Sequence, residues 1–131
     1  REIQKKLLVK VIEVKPKDSH AYNNLGNVLA LEETVRLQLP TGLRPFNKKE
    51  LYLEAIKLDN NDAIAYFNLG HVISGEERVQ VQLQTRIRTF NKKELLFEAL
   101  KLDNNKANAY INLGHVIFGE ERVQLLLVKR P

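Results

Sequence analysis

Ala65-Tyr66-Phe67-Asn68-Leu69-Gly70 decides how this chain is read, because it occurs three times. Ala21-Tyr22-Asn23-Asn24-Leu25-Gly26 stands 44 residues before it, and Ala109-Tyr110-Ile111-Asn112-Leu113-Gly114 stands 44 after it. Phe46-Asn47-Lys48-Lys49-Glu50-Leu51 returns at the same interval as Phe90-Asn91-Lys92-Lys93-Glu94-Leu95. Residues 21–64 lie over 65–108 without a gap, and 27 of the 44 positions are identical, so chance is not the cause. A repeat of this length means stacked modules, because one module cannot bury its apolar stripe alone. Residues 1–131 are read as one repeat domain. It divides into a partial copy (1–20), two full copies (21–64 and 65–108) and a truncated copy (109–131).

Each copy has three parts. The first is a helix, Asp62 to Ser74 in the middle copy, with Tyr66, Leu69, Gly70 and Ile73 on one stripe. Asn60-Asn61-Asp62 offers caps before it, and Gly75 offers a left-handed stop after it. Gly26, Gly70 and Gly114 each cost about 1 kcal/mol relative to Ala inside a helix, so their recurrence points to close helix approach. The second part alternates with period 2: Val79, Val81 and Leu83 one way, Arg78, Gln80 and Gln82 the other. Val35, Leu37 and Leu39 repeat this before the turn Pro40-Thr41-Gly42. A short β-hairpin or extended arm is expected there. The third part is a second helix, Asn47 to Leu58 and Asn91 to Leu102, opened by capping-box spacing from Asn47 to Glu50 and Asn91 to Glu94. Its apolar surface is broad, which implies cover on more than one side. Leu7, Leu8 and Ile12 make the N-terminal segment a degenerate second helix. With Arg at position 1 and no Met, the chain is expected to be a fragment or a processed product. The last segment ends inside an alternating stretch, so the array is expected to continue or to pack on another chain.

Composition narrows the function classes. With no Cys, disulfides, thiolate metal sites and Cys catalysis are excluded. No apolar run approaches the about 18 residues of a membrane span, so no membrane association is expected. The absence of Cys and of a secretion signal points to an intracellular, cytoplasmic protein. His71 and His115 are repeat-equivalent, hence roughly 10 Å apart by stacked-helix spacing and too distant to share a metal. No His-x-x-x-His, Walker or Gly-x-Ser-x-Gly motif occurs. No catalytic residues, metal site or cofactor are expected, and the protein is not read as an enzyme.

Tyr22-x-x-Leu25-Gly26-x-x-Leu29 resembles the first-helix signature of the tetratricopeptide repeat, as do Tyr66, Leu69 and Gly70, and Tyr110, Leu113 and Gly114. Tyr52, Ala55 and Asn60 resemble the second helix, with Asn60 and Asn104 in place of the family's Pro, which Pro16 keeps. The period is 44 against the family's 34, with the surplus in the alternating stretch. The resemblance implies a mainly α fold, an α-α superhelix (a solenoid of this type), with short β-hairpin or extended arms between the helices of each repeat. It also implies that first helices line a partner-binding groove. The matching face here holds Asn23, Asn27, Phe67, His71, Ile111 and His115, with an amide ladder of Asn24, Asn68 and Asn112 beside it. Side-chain amides both donate to and accept from a peptide backbone. The family's carboxylate clamp is not expected, because His20 and Ile64 stand where its cations would be.

The expected function is therefore a non-enzymatic scaffold that binds a peptide or partner protein. The alternative is an assembly subunit that pairs through its arms and uncapped ends, including self-association through the C-terminal stretch Val123–Val128. A nucleic-acid-associated adaptor stands a distant third. Net charge is only +5, aromatics are 7%, and Glu32-Glu33, Glu76-Glu77 and Glu120-Glu121 recur beside the lysines. Mutual pairing of those acids with Lys48-Lys49 and Lys92-Lys93, at adjoining helix ends, is expected.

Overall fold

Asn47 and Asn91 each accept a hydrogen bond from the backbone N–H three residues on, and the Glu50 and Glu94 carboxylates accept one from the cap residue's own N–H. These closed capping boxes start two helices at the same place in successive modules. In the computed structural model, which describes residues 1–103, 110, 111, 113 and 114, the order is α1 (Glu2–Val14), α2 (Ser19–Val28), β1 (Thr34–Leu39), β2 (Gly42–Asn47), α3 (Lys48–Leu58), α4 (Ala63–Val72), β3 (Arg78–Gln82), β4 (Ile87–Asn91) and α5 (Lys92–Leu102).

The alternating stretches are antiparallel hairpins. β1 pairs with β2, setting Val35 opposite Phe46 and Leu39 opposite Gly42. Gly42 has φ +129°, which glycine adopts without strain. β3 pairs with β4, setting Val79 opposite Phe90, and closes without glycine through a four-residue loop in which the Leu83 N–H donates to the Arg86 carbonyl. Leu37, Leu39 and Phe46, and Val79, Val81 and Phe90, are buried in the same core as the helices.

The expectation of a mainly α superhelix is overturned by these strands. Among the described residues, the five helices α1–α5 are combined with two separate two-stranded sheets, with about 21% of those residues in strands, so this is a small mixed α/β domain. The physical reason lies in the second helices. β1 packs on α1, β2 and β3 both pack on α3, and β4 packs on α5. The broad apolar girth of α3 is thus covered by first helices (α2 and α4) and by two hairpins. Arg44 and Arg88 lay their guanidinium groups over Phe46 and Phe90 at 4.4 and 4.3 Å.

The first helices do not stop as read. α2 and α4 end on Leu29 and Ile73 in extended conformation, and Gly75 is not left-handed. Their terminal carbonyls are met by the lysine that opens the next helix. Lys48 Nζ donates to the carbonyls of Gly26 (2.6 Å) and Leu29 (3.0 Å). Lys92 Nζ donates to those of Gly70, His71 (3.3 Å) and Ile73 (3.0 Å). A cation at a helix C-terminus opposes the macrodipole favourably, so no left-handed cap is needed. Burial lowers both lysine pKa values.

Modules are joined by polar ties as well as by apolar contact. The Tyr22 and Tyr66 hydroxyls donate to the carbonyls of Pro16 and Asn60, both at 2.9 Å. Burial raises these phenols to about 12. Asn60 also donates from Nδ2 to the Ile56 carbonyl and accepts from the Gln84 N–H, binding the end of α3 to the second hairpin. Proline at that position has no side-chain amide to do this.

Candidate functional site

On α2, His20, Asn24 and Asn27 are exposed at i, i+4 and i+7, one side of a helix. The equivalent positions on α4 are Ile64, Asn68 and His71. Ile64 is 42% exposed, His71 is exposed and Asn68 is half-buried. Ile111, in the third copy, is 57% exposed. The outward side of the first helices is therefore a mixed face of amides, imidazoles and branched aliphatics.

Nine residues were expected on this face, and the structure divides them. Asn24, Asn27 and His71 are exposed on it, and Ile111 is exposed at the repeat position of Asn23 and Phe67. Phe67 is half-buried, packed against Leu96, Leu100 and Leu113, with its ring stacked on His71 at 6.1 Å and 18° between planes. Asn68 has its Nδ2 buried with no acceptor among the described residues. Asn112 and His115 lie outside the described residues, as does the stretch Val123–Val128. Asn23 is 3% exposed and donates to Asp62 Oδ2 at 2.7 Å, so it is a joint between modules, not a contact for a partner. Asp62 also caps α4, accepting from the Ala65 N–H through Oδ1, and one bond holds α2 to the start of α4.

The same repeat position holds Asn23, Phe67 and Ile111, each in a different environment. Sequence equivalence alone does not reveal this, because the neighbour that buries Asn23 is a cap of the following helix. Ile64 and His20, which stand where the clamp's cations would be, join the face. Their signal was the helical spacing itself, four residues before Asn68 and Asn24.

Asn27 Oδ1 accepts from the Tyr52 hydroxyl at 2.7 Å. That bond fixes the amide's orientation and links the face to the interior of the module. Among the described residues there is no cluster of three or more His, Cys, Asp or Glu that could hold a metal. Among them, too, no helix is long and apolar enough to cross a membrane.

The lysine–glutamate pairs run between modules, not within one as expected. Lys49 pairs with Glu77 of the next copy, and Lys5, its equivalent, pairs with Glu33 at 2.7 Å. Lys48 and Lys92 cannot take part, because their ammonium groups are bound to helix carbonyls. Glu33 also accepts from Arg1 (2.7 Å) and from the Ala30 N–H (3.0 Å). The Arg1 and Lys5 bonds, then the Ala30 bond, pull its carboxyl down to about 2 from the ordinary 4.5. A carboxyl with a depressed folded pKa adds stability that is complete above about 4.5 and lost as pH falls through about 2. The denaturant midpoint is expected to fall across that window, and Glu33→Gln should flatten the fall. Equal slopes for both proteins in urea titrations would remove Glu33 from the account.

Comparison with family models and with curated proteins finds no match to this chain.

Proposed function

We propose that the chain is a non-enzymatic module that binds a peptide or partner protein on the outward side of its first helices. The observation that carries this reading is exposed apolar surface beside paired donors and acceptors. Ile64 stands open on that side with Asn24, Asn27 and His71 around it. The Tyr-x-x-Leu-Gly motif, with its resemblance to tetratricopeptide first helices, supports the same side. An amide-rich face favours an extended backbone as the ligand, since amides satisfy N–H and C=O groups alike.

The test is a selection from a displayed random-peptide library against the whole chain. Selected peptides are then measured against Ile64→Asp and against Asn24→Ala combined with His71→Ala. These side chains are exposed, so folding should be unaffected. Affinity is expected to drop tenfold or more, about 1.4 kcal/mol. Peptides that bind all variants as tightly as the parent would place the binding surface elsewhere.

A further inference from the structure

Charge is distributed unevenly along this chain. Residues 19–31, 63–75 and 107–119 are the same 13 positions of the three copies, and all 21 Lys and Arg and all 16 Asp and Glu fall outside them. The first two of these windows hold α2 and α4. Burial accounts for part of the exclusion, because Tyr22, Leu25, Tyr66 and Leu69 lie in the core. It does not account for the rest: in residues 19–31 and 63–75 nine side chains or backbone positions are exposed, and none is charged. Elsewhere exposed positions carry charge as usual, with Arg36, Arg44, Arg78 and Arg86 on the hairpins and Lys57 and Lys101 on the second helices.

The charges nearest to α2 and α4 are held by the protein itself or lie past the helix ends. Asp18 and Asp62 cap the two helices, accepting from backbone N–H groups. The Lys48 and Lys92 ammonium groups are bound to carbonyls at the other ends. Glu32 and Glu76 are exposed, but in the turns that follow. The outward side is left with His20, Asn24 and Asn27 on α2 and Ile64 and His71 on α4. Asn27 Oδ1 is taken by the Tyr52 hydroxyl, so the half of its amide open to a ligand is the Nδ2 donor. Asn24 offers both a donor and an acceptor.

Depletion of charge is the compositional mark of an interface core. A charged group of a partner placed on such a face would leave water and meet no opposite charge, at a high cost. Resting on the binding face described above, we propose that its partner is an extended peptide segment without Lys, Arg, Asp or Glu where it touches. One backbone carbonyl of that segment accepts from Asn27 Nδ2, backbone N–H and carbonyl groups meet Asn24, and an aliphatic side chain covers Ile64. Hydrogen bonds and apolar contact carry the binding, so it is nearly indifferent to salt. A phosphate backbone or an acidic segment finds no lysine or arginine on this side.

The experiment takes peptides selected against the whole chain and measures them on opposite-charge pairs at two exposed positions. The pairs are Ile64→Lys with Ile64→Glu, and Asn24→Lys with Asn24→Asp; either pair decides if a variant of the other unfolds. Affinity is read at about 0.1 and 1 M salt, between which the screening length falls from about 10 to about 3 Å. Both members of each pair are expected to weaken binding, roughly tenfold at Ile64 and roughly threefold at Asn24, and the parent's affinity to change less than about threefold with salt. If one sign weakens binding and the other tightens it, or if the parent's affinity falls about tenfold with salt, the ligand is ionic. Either result overturns the proposal and leaves the binding face in place. Peptides that ignore all four substitutions remove the face itself, and the proposal with it.

Discussion

Phe90→Ala is expected to lower unfolding stability by about 3–5 kcal/mol, the usual loss for a buried phenylalanine. Phe90 lies on a hairpin, and a hairpin that merely projected from a helical stack would lose little on truncation. Here its ring is 1% exposed and meets Tyr66 of α4 at 5.9 Å with planes tilted by 60°. Arg88 lies over the ring at 4.3 Å, and Val79 is its direct cross-strand partner. Removing the ring therefore leaves a cavity where a strand, a first helix and a guanidinium meet, and none of them can close it alone. Thr89, whose side chain points away on the same strand, is the control, and Thr89→Ala should change stability by no more than about 0.5 kcal/mol. Chemical denaturation of the three proteins gives the comparison. Equal midpoints for Phe90→Ala and the parent would mean that the hairpins are appendages after all.

That result bears on what the sequence could reveal. The hairpins were readable from Val35-Leu37-Leu39 and Val79-Val81-Leu83, because alternation has one physical cause. Their weight in the fold was not readable. Phe46 and Phe90 repeat at the same interval without showing from sequence that each sits on the inward face of a strand. A period-2 face shows which side is apolar and not what it will cover. The wide apolar surface of α3 signalled cover on several sides, and further helices seemed to supply it. The structure gives part of that role to β2 and β3, which makes the class mixed α/β.

The candidate face was legible to the extent that helical spacing is geometric. Asn24, Asn27 and His71 fall on it because residues at i, i+3 and i+4 share a side. Asn23 was lost from it because one residue of rotation turns a side chain toward Asp62. The lysines misled for a related reason. A basic residue at a helix start opposes that helix's own macrodipole, so Lys48 and Lys92 suggested a need for acidic partners. Their ammonium groups serve another helix's C-terminus instead, where the same dipole argument has the opposite sign. That these ends adjoin is legible in the sequence; which acceptor each ammonium reaches there is not.

Gly26→Leu should be more disruptive than its equivalent at Gly70, with an expected loss greater than about 3 kcal/mol. Two effects compete at this position. Replacing glycine inside a helix gains up to about 1 kcal/mol of propensity. Against this, a Cβ alone would stand 2.6 Å from Tyr52 Cε1 and 3.1 Å from Cδ1 and Cζ. The ring cannot yield easily, since it is buried and its hydroxyl donates to Asn27 Oδ1. If the helices separated instead, Lys48 would lose its bond to the Gly26 carbonyl, so either escape breaks a further interaction. At Gly70 the nearest atoms are Leu95 Cβ at 3.2 Å and the tip of Leu96 at 3.2 and 3.3 Å. The tip can swing although the Cβ cannot, and Gly70→Leu should cost about 1–3 kcal/mol. Two identical substitutions at two repeat-equivalent glycines should therefore rank by what faces each one. Equal losses in equilibrium unfolding would show that the glycines act through helix propensity alone and that close approach of the second helices is not their reason.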